Sequence, residues 1–384
     1  MDFQLIDSTR MLEQAAADLA GSDVFFIDTE FEQRGGSATL CLLQISAGQR
    51  IYLIDMLHLS ALDALSQAIT GSNSIWVIHS AKMDVELLAN KLQLTHLPPI
   101  FDTQVAWGLL GAEFSVALAY LNYRVLGLRM AKEHQADPWA KRPLPQSQLV
   151  YAAEDIVTLP HLYKALRERL EKDGKWDLVF DVTEEFCFPP VKPKVTRSRV
   201  LTMEDFRNAW QLDYAGLAAL QFLINWWNGL SGEQRPSGLN YPILFNIARR
   251  LPESGSELAQ IKGVPRQWAR EQGDLLTGRL IRASYEASEE RFPPLDPKPY
   301  LTYDEAQWEA FVPSLKYAVS RMVNIAPEIC FPTWSPPELL REQAMQNGSL
   351  ESGAEILDGW RKQWLTDPYQ KFCKRWEHLV SLSD

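Results

Sequence analysis

A chain of 384 residues with 49 acidic and 38 basic side chains has a formal net charge of -11, which argues against a histone-like or membrane-surface protein. It leaves a nucleic-acid partner open, because a local basic track or a bound metal outweighs the distant field. The length exceeds what one core usually organises and predicts two or three domains. Four widely separated cysteines, Cys41, Cys187, Cys330 and Cys373, with no C-x-x-C pair and no histidine cluster nearby, argue against a zinc site or a disulfide framework and fit a reducing cytoplasm. The N-terminal MDFQLIDSTR has no apolar signal stretch, and LAALQFLINWW is interrupted by Gln221 and Asn225, so no membrane partner is expected.

In chain order, VFFIDTEF, TLCLLQIS and RIYLID predict an antiparallel three-strand meander. A helical stretch around residues 61–69 follows, then a strand-like IWVIHS and a helix-periodic AKMDVELLANKL. Meander followed by βα alternation predicts an α/β domain whose sheet is part antiparallel and part parallel. Asp84 falls in the first helical turn beyond a strand end, where ligands collect in open α/β sheets. Asp102 reads as a helix N-cap. The helical segment 145–173 puts Tyr151 and Asp155 on one face, four residues apart, leaves Glu154 solvated, and bends at Pro160. A proline-rich, basic linker at 191–202 gives way to helices at 203–285, then a second proline-rich break at 286–302 and further helices at 303–384, with ELAQIKGVPRQW faintly echoed by EILDGWRKQW. Most of the tryptophans read as core rather than as base-stacking groups.

The run FFIDTEFE poses a physical question. Asp28 and Glu30 alternate onto one face of a buried strand, while Ile27, Thr29 and Phe31 point the other way. Like charges there repel and lose hydration, and a divalent cation is the simplest compensation. An acidic pair alone on a strand is ordinarily a solvated edge; joined by Asp84 and the Tyr151–Asp155 pair it reads as an all-oxygen set suited to Mg²⁺ or Mn²⁺ rather than zinc.

FFIDTEFE, WVIHSAKMDVELL and YAAEDIVTLPHLY resemble the three motifs of the DEDD exonuclease superfamily in its tyrosine variant. Their order and spacing, together with DPWAKRPL and NAWQL, are similar to the ribonuclease D family. The histidine variant would need His where Val150 stands. The resemblance implies a ribonuclease H-like exonuclease domain at 1–190 followed by two all-α modules similar to HRDC domains, at 203–285 and 303–384. It implies a cytoplasmic, monomeric 3′-5′ exoribonuclease that releases 5′-mononucleotides with two divalent ions, Mg²⁺ or Mn²⁺, acting on tRNA precursors and other RNAs with 3′ extensions. Under that resemblance Asp28 bridges both ions, Glu30 and Asp155 complete one shell, Asp84 holds the second ion and Tyr151 orients the attacking water. Lys141 and Arg142 are candidate backbone contacts, and His79 is either a substrate contact or a structural group. The loop EQRGGSATL departs from the basic stretch usual after the first motif and leaves Arg34 as its one arginine. A DNA 3′-5′ exonuclease and an RNA-binding scaffold without catalysis are the competing readings.

Overall fold

The structure is a computed structural model and describes residues 2–34, 36–48, 50–71, 73–111, 113–129, 137–190, 200–231, 234–297 and 303–381. The 191–202 linker falls largely outside these residues, as do the end of the 286–302 break and the side chain of Arg34. The chain divides into two compact units, residues 1–191 with 310–384, and residues 192–309.

The first unit opens with β1 (Phe3–Ile6), α1 (Thr9–Leu19), β2 (Val24–Arg34), β3 (Ser37–Ser46) and β4 (Ile51–Asp55). Then come α2 (Asp63–Ile69), β5 (Ile75–Ile78), α3 (Lys82–Leu92), β6 (Ile100–Asp102), α4 (Thr103–Leu109) and α5 (Leu118–Leu126). Three helices complete this half: α6 (Gln146–Val157), α7 (Leu159–Lys172) and α8 (Trp176–Cys187). The six strands lie in the order β1-β4-β3-β2-β5-β6. The expected meander is β2-β3-β4, antiparallel throughout, and β1, β5 and β6 join it in parallel. The edge strand β1 goes beyond the sequence reading; FQLI is too short to show an alternation.

One face of the sheet carries Phe25, Ile27, Leu43, Ile45, Tyr52 and Ile54, packed with Leu12 and Ala15 of α1 and Val85 and Leu88 of α3. The apolar positions of α1, Leu12, Ala15, Ala16 and Leu19, follow the helical period that lets one stripe meet this face. On the other face α6 packs across β2, β3 and β4. The segment read as one bent helix is two: α6 ends at Val157 and α7 starts with Pro160 in its first turn, where the missing N–H breaks no intrahelical bond.

The second unit is all helical, with α9 (Tyr214–Gly229), α10 (Tyr241–Arg250), α11 (Gly255–Leu258) and α12 (Arg266–Tyr285) around a core that includes Leu220, Leu223, Leu244, Ile247 and Leu280. The C-terminal helices are α13 (Tyr303–Val323), α14 (Pro327–Cys330), α15 (Pro337–Asn347) and α16 (Gly359–Ser381), with a 3₁₀ turn at Glu351–Ile356. In both sets a short piece, α11 or the 3₁₀ turn, precedes the last long helix and carries a glycine at a close approach. A Cβ on Gly255 would strike the carbonyl of Ala269 in α12, and one on Gly353 would strike Tyr369 in α16.

Residues 303–384, read from sequence as a body of their own, belong with the α/β unit from residue 310 onward. Ala326 N–H donates to the Gly108 carbonyl at 2.7 Å, and Gly108 has no room for a Cβ beside Ile329. The buried Lys175 Nζ donates to the carbonyls of Leu109, Val323 and Asn324 at 2.7, 3.1 and 2.8 Å. Arg361 and Trp360 both reach Glu185, at 2.6 and 3.1 Å. Hydrophobic periodicity places such helices but cannot say which neighbour covers them.

Candidate active site

The opening puzzle of FFIDTEFE resolves around β2. Asp28 and Glu30 lie on the face covered by α6, and one carboxylate oxygen from each comes within 4.8 Å of one from Asp155 on that helix. Asp84, 7% exposed in the first turn of α3, stands outside that triplet and accepts a hydrogen bond from the Thr29 hydroxyl. Thr29 does face away from Asp28, as alternation requires, and thereby holds Asp84 on the opposite flank of the strand. Asp28 is thus bracketed by acids on both sides.

The electrostatics are those of charges without counter-charges. Burial, then Asp84, Asp155 and Glu30, push the Asp28 carboxyl well above the usual carboxylate range. Burial followed by Asp155 and Asp84 takes Glu30 up to about 9. Burial takes Asp84 to about 7 against the opposing Thr29 bond, and Asp155 to about 6 against a bond from Tyr151. The Tyr151 hydroxyl, hydrogen-bonded to Asp155, is itself pushed up by burial and by the charges of Asp155 and Glu30. The four carboxylates and Tyr151 share a cleft of about 740 Å³ in whose lining no lysine or arginine occurs. Oxygen-only donors with nothing cationic among the described lining residues fit hard divalent ions.

Residues 3–171 match the family described as 3′-5′ exonuclease. Proteins named Ribonuclease D align along nearly the whole chain. That of Serratia proteamaculans (strain 568) is 26% identical over 385 residues, 97% of this chain and 100% of the relative. That of Pseudomonas paraeruginosa (strain DSM 24068 / PA7) is 26% identical over 379 residues, 94% and 95% of the two chains. The chain is thus similar to ribonuclease D along nearly its whole length. The crystal structure of Escherichia coli RNase D matches its fold with a TM-score of 0.57 at 22% identity, over 98% of this chain and 99% of that one.

The remaining candidate residues divide by what their polar atoms already hold. His79 lines the cleft, yet Nδ1 meets the Thr103 hydroxyl at 2.8 Å and Nε2 meets the Val116 carbonyl at 3.0 Å. A carbonyl only accepts, so Nε2 carries the proton, and burial holds the ring's pKa down. The histidine props the cleft wall, the structural alternative left open by the sequence.

Arg142 corrects a sequence expectation. The β2–β3 ladder is irregular beyond Glu30: Glu30 pairs with Leu42 and Phe31 with Leu40, leaving Cys41 as an extra residue. The Cys41 carbonyl accepts from Arg142 Nη2 at 3.0 Å and from Met56 N–H at 3.2 Å. The same guanidinium takes both oxygens of Asp55, at 2.6 and 2.9 Å, and donates to the Trp139 carbonyl at 2.6 Å. All three of its nitrogens are engaged, so Arg142 fastens the DPWAKRPL loop to the sheet instead of reaching for substrate. Ala140 N–H, bonded to Glu32 at 2.8 Å, adds a second tie. Lys141 between them is exposed.

Asp102 caps α4 as expected, accepting from Gln104 N–H at 2.8 Å, and also takes the N–H groups of Ser80 and Ala81 at 2.9 Å each. Those bonds support Ser80 at φ 62, a left-handed conformation uncommon for serine. Three features lay beyond sequence reasoning: Thr29 as the partner of Asp84, the wall formed by residues 115–119 with Gln104 Nε2 on the Val116 carbonyl, and Gln44. Gln44 lies opposite Asp28 in the ladder, fully buried, with neither amide atom hydrogen-bonded. Only the N-cap signal at Asp102 pointed toward any of this wall.

Proposed function

We propose that this chain hydrolyses RNA from the 3′ end, releasing 5′-mononucleotides, and that Asp28, Glu30, Asp84 and Asp155 hold two divalent cations, Mg²⁺ or Mn²⁺. The supporting observation is the set of four carboxylates around β2 whose pKa values are raised and whose cleft has no lysine or arginine among its described lining residues. When bound, a pair of such ions activates a water and stabilises the leaving oxygen of a phosphodiester displacement. Asp28, flanked by acids on both sides, is the ligand suited to both ions. Tyr151, whose hydroxyl is bonded to Asp155 and kept neutral by its raised pKa, would orient the attacking water from that position. Lys141 remains the exposed candidate for a backbone phosphate, while His79 acts through the Val116 wall.

Under this reading the physiological substrates are tRNA precursors and other RNAs with 3′ extensions, gripped in part by the HRDC-like helices, and the enzyme works as a cytoplasmic monomer. No helix among the described residues is long and apolar enough to cross a membrane.

The test is incubation of the purified chain with matched 5′-labelled RNA and DNA strands in Mg²⁺, Mn²⁺ or EDTA. Progressive shortening of RNA from its 3′ end, arrest by a 3′-phosphate and arrest by EDTA are the expected results. Undiminished cleavage in excess EDTA, or cleavage of a circular RNA, overturns the reading; preference for the DNA strand replaces it with the DNA exonuclease.

A further inference from the structure

The cleft wall does not end at the cleft. Residues 115–119 line it, and Leu118 and Ala119 already belong to α5, so the next turn of the same helix carries the wall outward. Tyr123 stands four residues beyond Ala119, on the same stripe and about 6 Å further along the axis. It is 50% exposed, and its neighbour Tyr120 is 39% exposed. Leu128, 47% exposed, follows after the helix end at Gly127.

The Tyr120 ring is held in place by its neighbours, and Tyr123 has an arginine beside it. Glu113 accepts from Trp107 Nε1 at 3.0 Å, from the Tyr120 hydroxyl at 2.5 Å and from Arg124 Nη1 at 2.8 Å. The Arg124 guanidinium lies 5.7 Å from the Trp107 ring centre and 5.5 Å from that of Tyr120. Arg129 lies 5.8 Å from the Tyr123 ring. An aromatic side chain already fixed in orientation loses little entropy when a base stacks on it.

We propose that Tyr123, with Tyr120, Arg124 and Arg129, forms a stacking platform for the single-stranded RNA immediately 5′ to the nucleotide in the cleft. The assignment rests on the exonuclease reading and adds to it the path of the strand. Continuity selects the occupant, because the platform begins where the cleft wall ends. Charge complementarity agrees: the described cleft lining offers phosphates no lysine or arginine, whereas the platform carries two arginines against one glutamate. Stacking on tyrosine with arginine alongside is indifferent to base identity, which suits an enzyme that must pass every nucleotide through one site. A bland surface cluster that merely closes α5 onto α4 would be indifferent to strand length.

The experiment compares kcat/KM for an octaribonucleotide and for a diribonucleotide in the full chain and in Tyr123→Ala, together with affinity for a fluorescent octaribonucleotide in EDTA. The expected result is a fall of about 5- to 100-fold in the octamer-to-dimer ratio, as for the loss of one stacked base. Octamer affinity in EDTA should fall by a similar factor, and Tyr123→Trp, which keeps a stacking face, should restore both. An unchanged ratio overturns the platform, including the case in which both substrates slow equally. Wild-type cleavage with an unaltered Tyr123→Ala ratio removes the platform and leaves the exonuclease reading intact. Octamer binding that depends on Tyr123 in a wild-type chain that cleaves nothing does the reverse.

Discussion

Within one compact unit, buried charge is treated in two opposite ways. At the Arg142–Asp55 pair and at the junction with the C-terminal helices, every charge is met. Arg361 has Glu185 and the carbonyls of Ile329 and Cys330, and Lys175 has three carbonyls. Asp55 is held down at about 2 because the Arg142 and His58 bonds outweigh its burial. Around β2 four acids converge without a lysine or arginine among the described residues of the cleft lining, and all four are pushed up. Matched charges stiffen a fold, whereas an unmatched set is costly and persists where a ligand supplies the opposite charge.

The sharpest way to break that contrast is one substitution type at both places. Asp28→Asn should abolish 3′ cleavage, yet raise the melting temperature of the metal-free chain at pH 8 by relieving repulsion. Cleavage is read by gel and melting by calorimetry. A destabilised metal-free variant would mean that Asp28 has an unseen partner.

Tyr151→Phe should come next in size on activity. It keeps the ring beside Trp139, 6.3 Å between centroids, and removes only the hydroxyl. A drop in kcat of about 10² to 10⁴ with little change in KM is expected from steady-state kinetics.

Asp55→Asn should behave oppositely to Asp28→Asn. It leaves the Arg142 guanidinium with one strong partner fewer and should destabilise the chain by on the order of 3 kcal/mol in denaturant unfolding. The same loss should appear with and without Mg²⁺.

The smallest effect is a pH dependence. Glu30, Asp84 and Asp155, with folded pKa values of about 9, 7 and 6, keep protons that the unfolded chain has released above the ordinary carboxylate range. Stability of the metal-free chain should therefore fall as pH rises from about 4 toward 9. Mn²⁺ replaces those protons, so the rise in melting temperature that it produces should be larger at pH 8.5 than at pH 5.5. Equal rises at both would detach the ion from these carboxylates.

The four clustered acids were legible because they carry local signals: an alternation on β2, a strand-to-helix junction at Asp84, and a four-residue spacing from Tyr151 to Asp155. Helix and strand periods act over a few residues, so sequence alone determined the mixed α/β half, the helical remainder and which acids could share a cleft. Tertiary structure decided what those periods cannot express. Arg142 looked like a phosphate contact until the Cys41 bulge and Asp55 engaged it, and His79 could be assigned as a prop only once Thr103 and Val116 met its two nitrogens. Thr29 found Asp84 across 55 positions, and Lys175 found Asn324 across 149. A side chain's role depends on which partners reach its polar atoms, and partners so distant in sequence leave no local pattern; only the packed fold brings them within hydrogen-bonding distance.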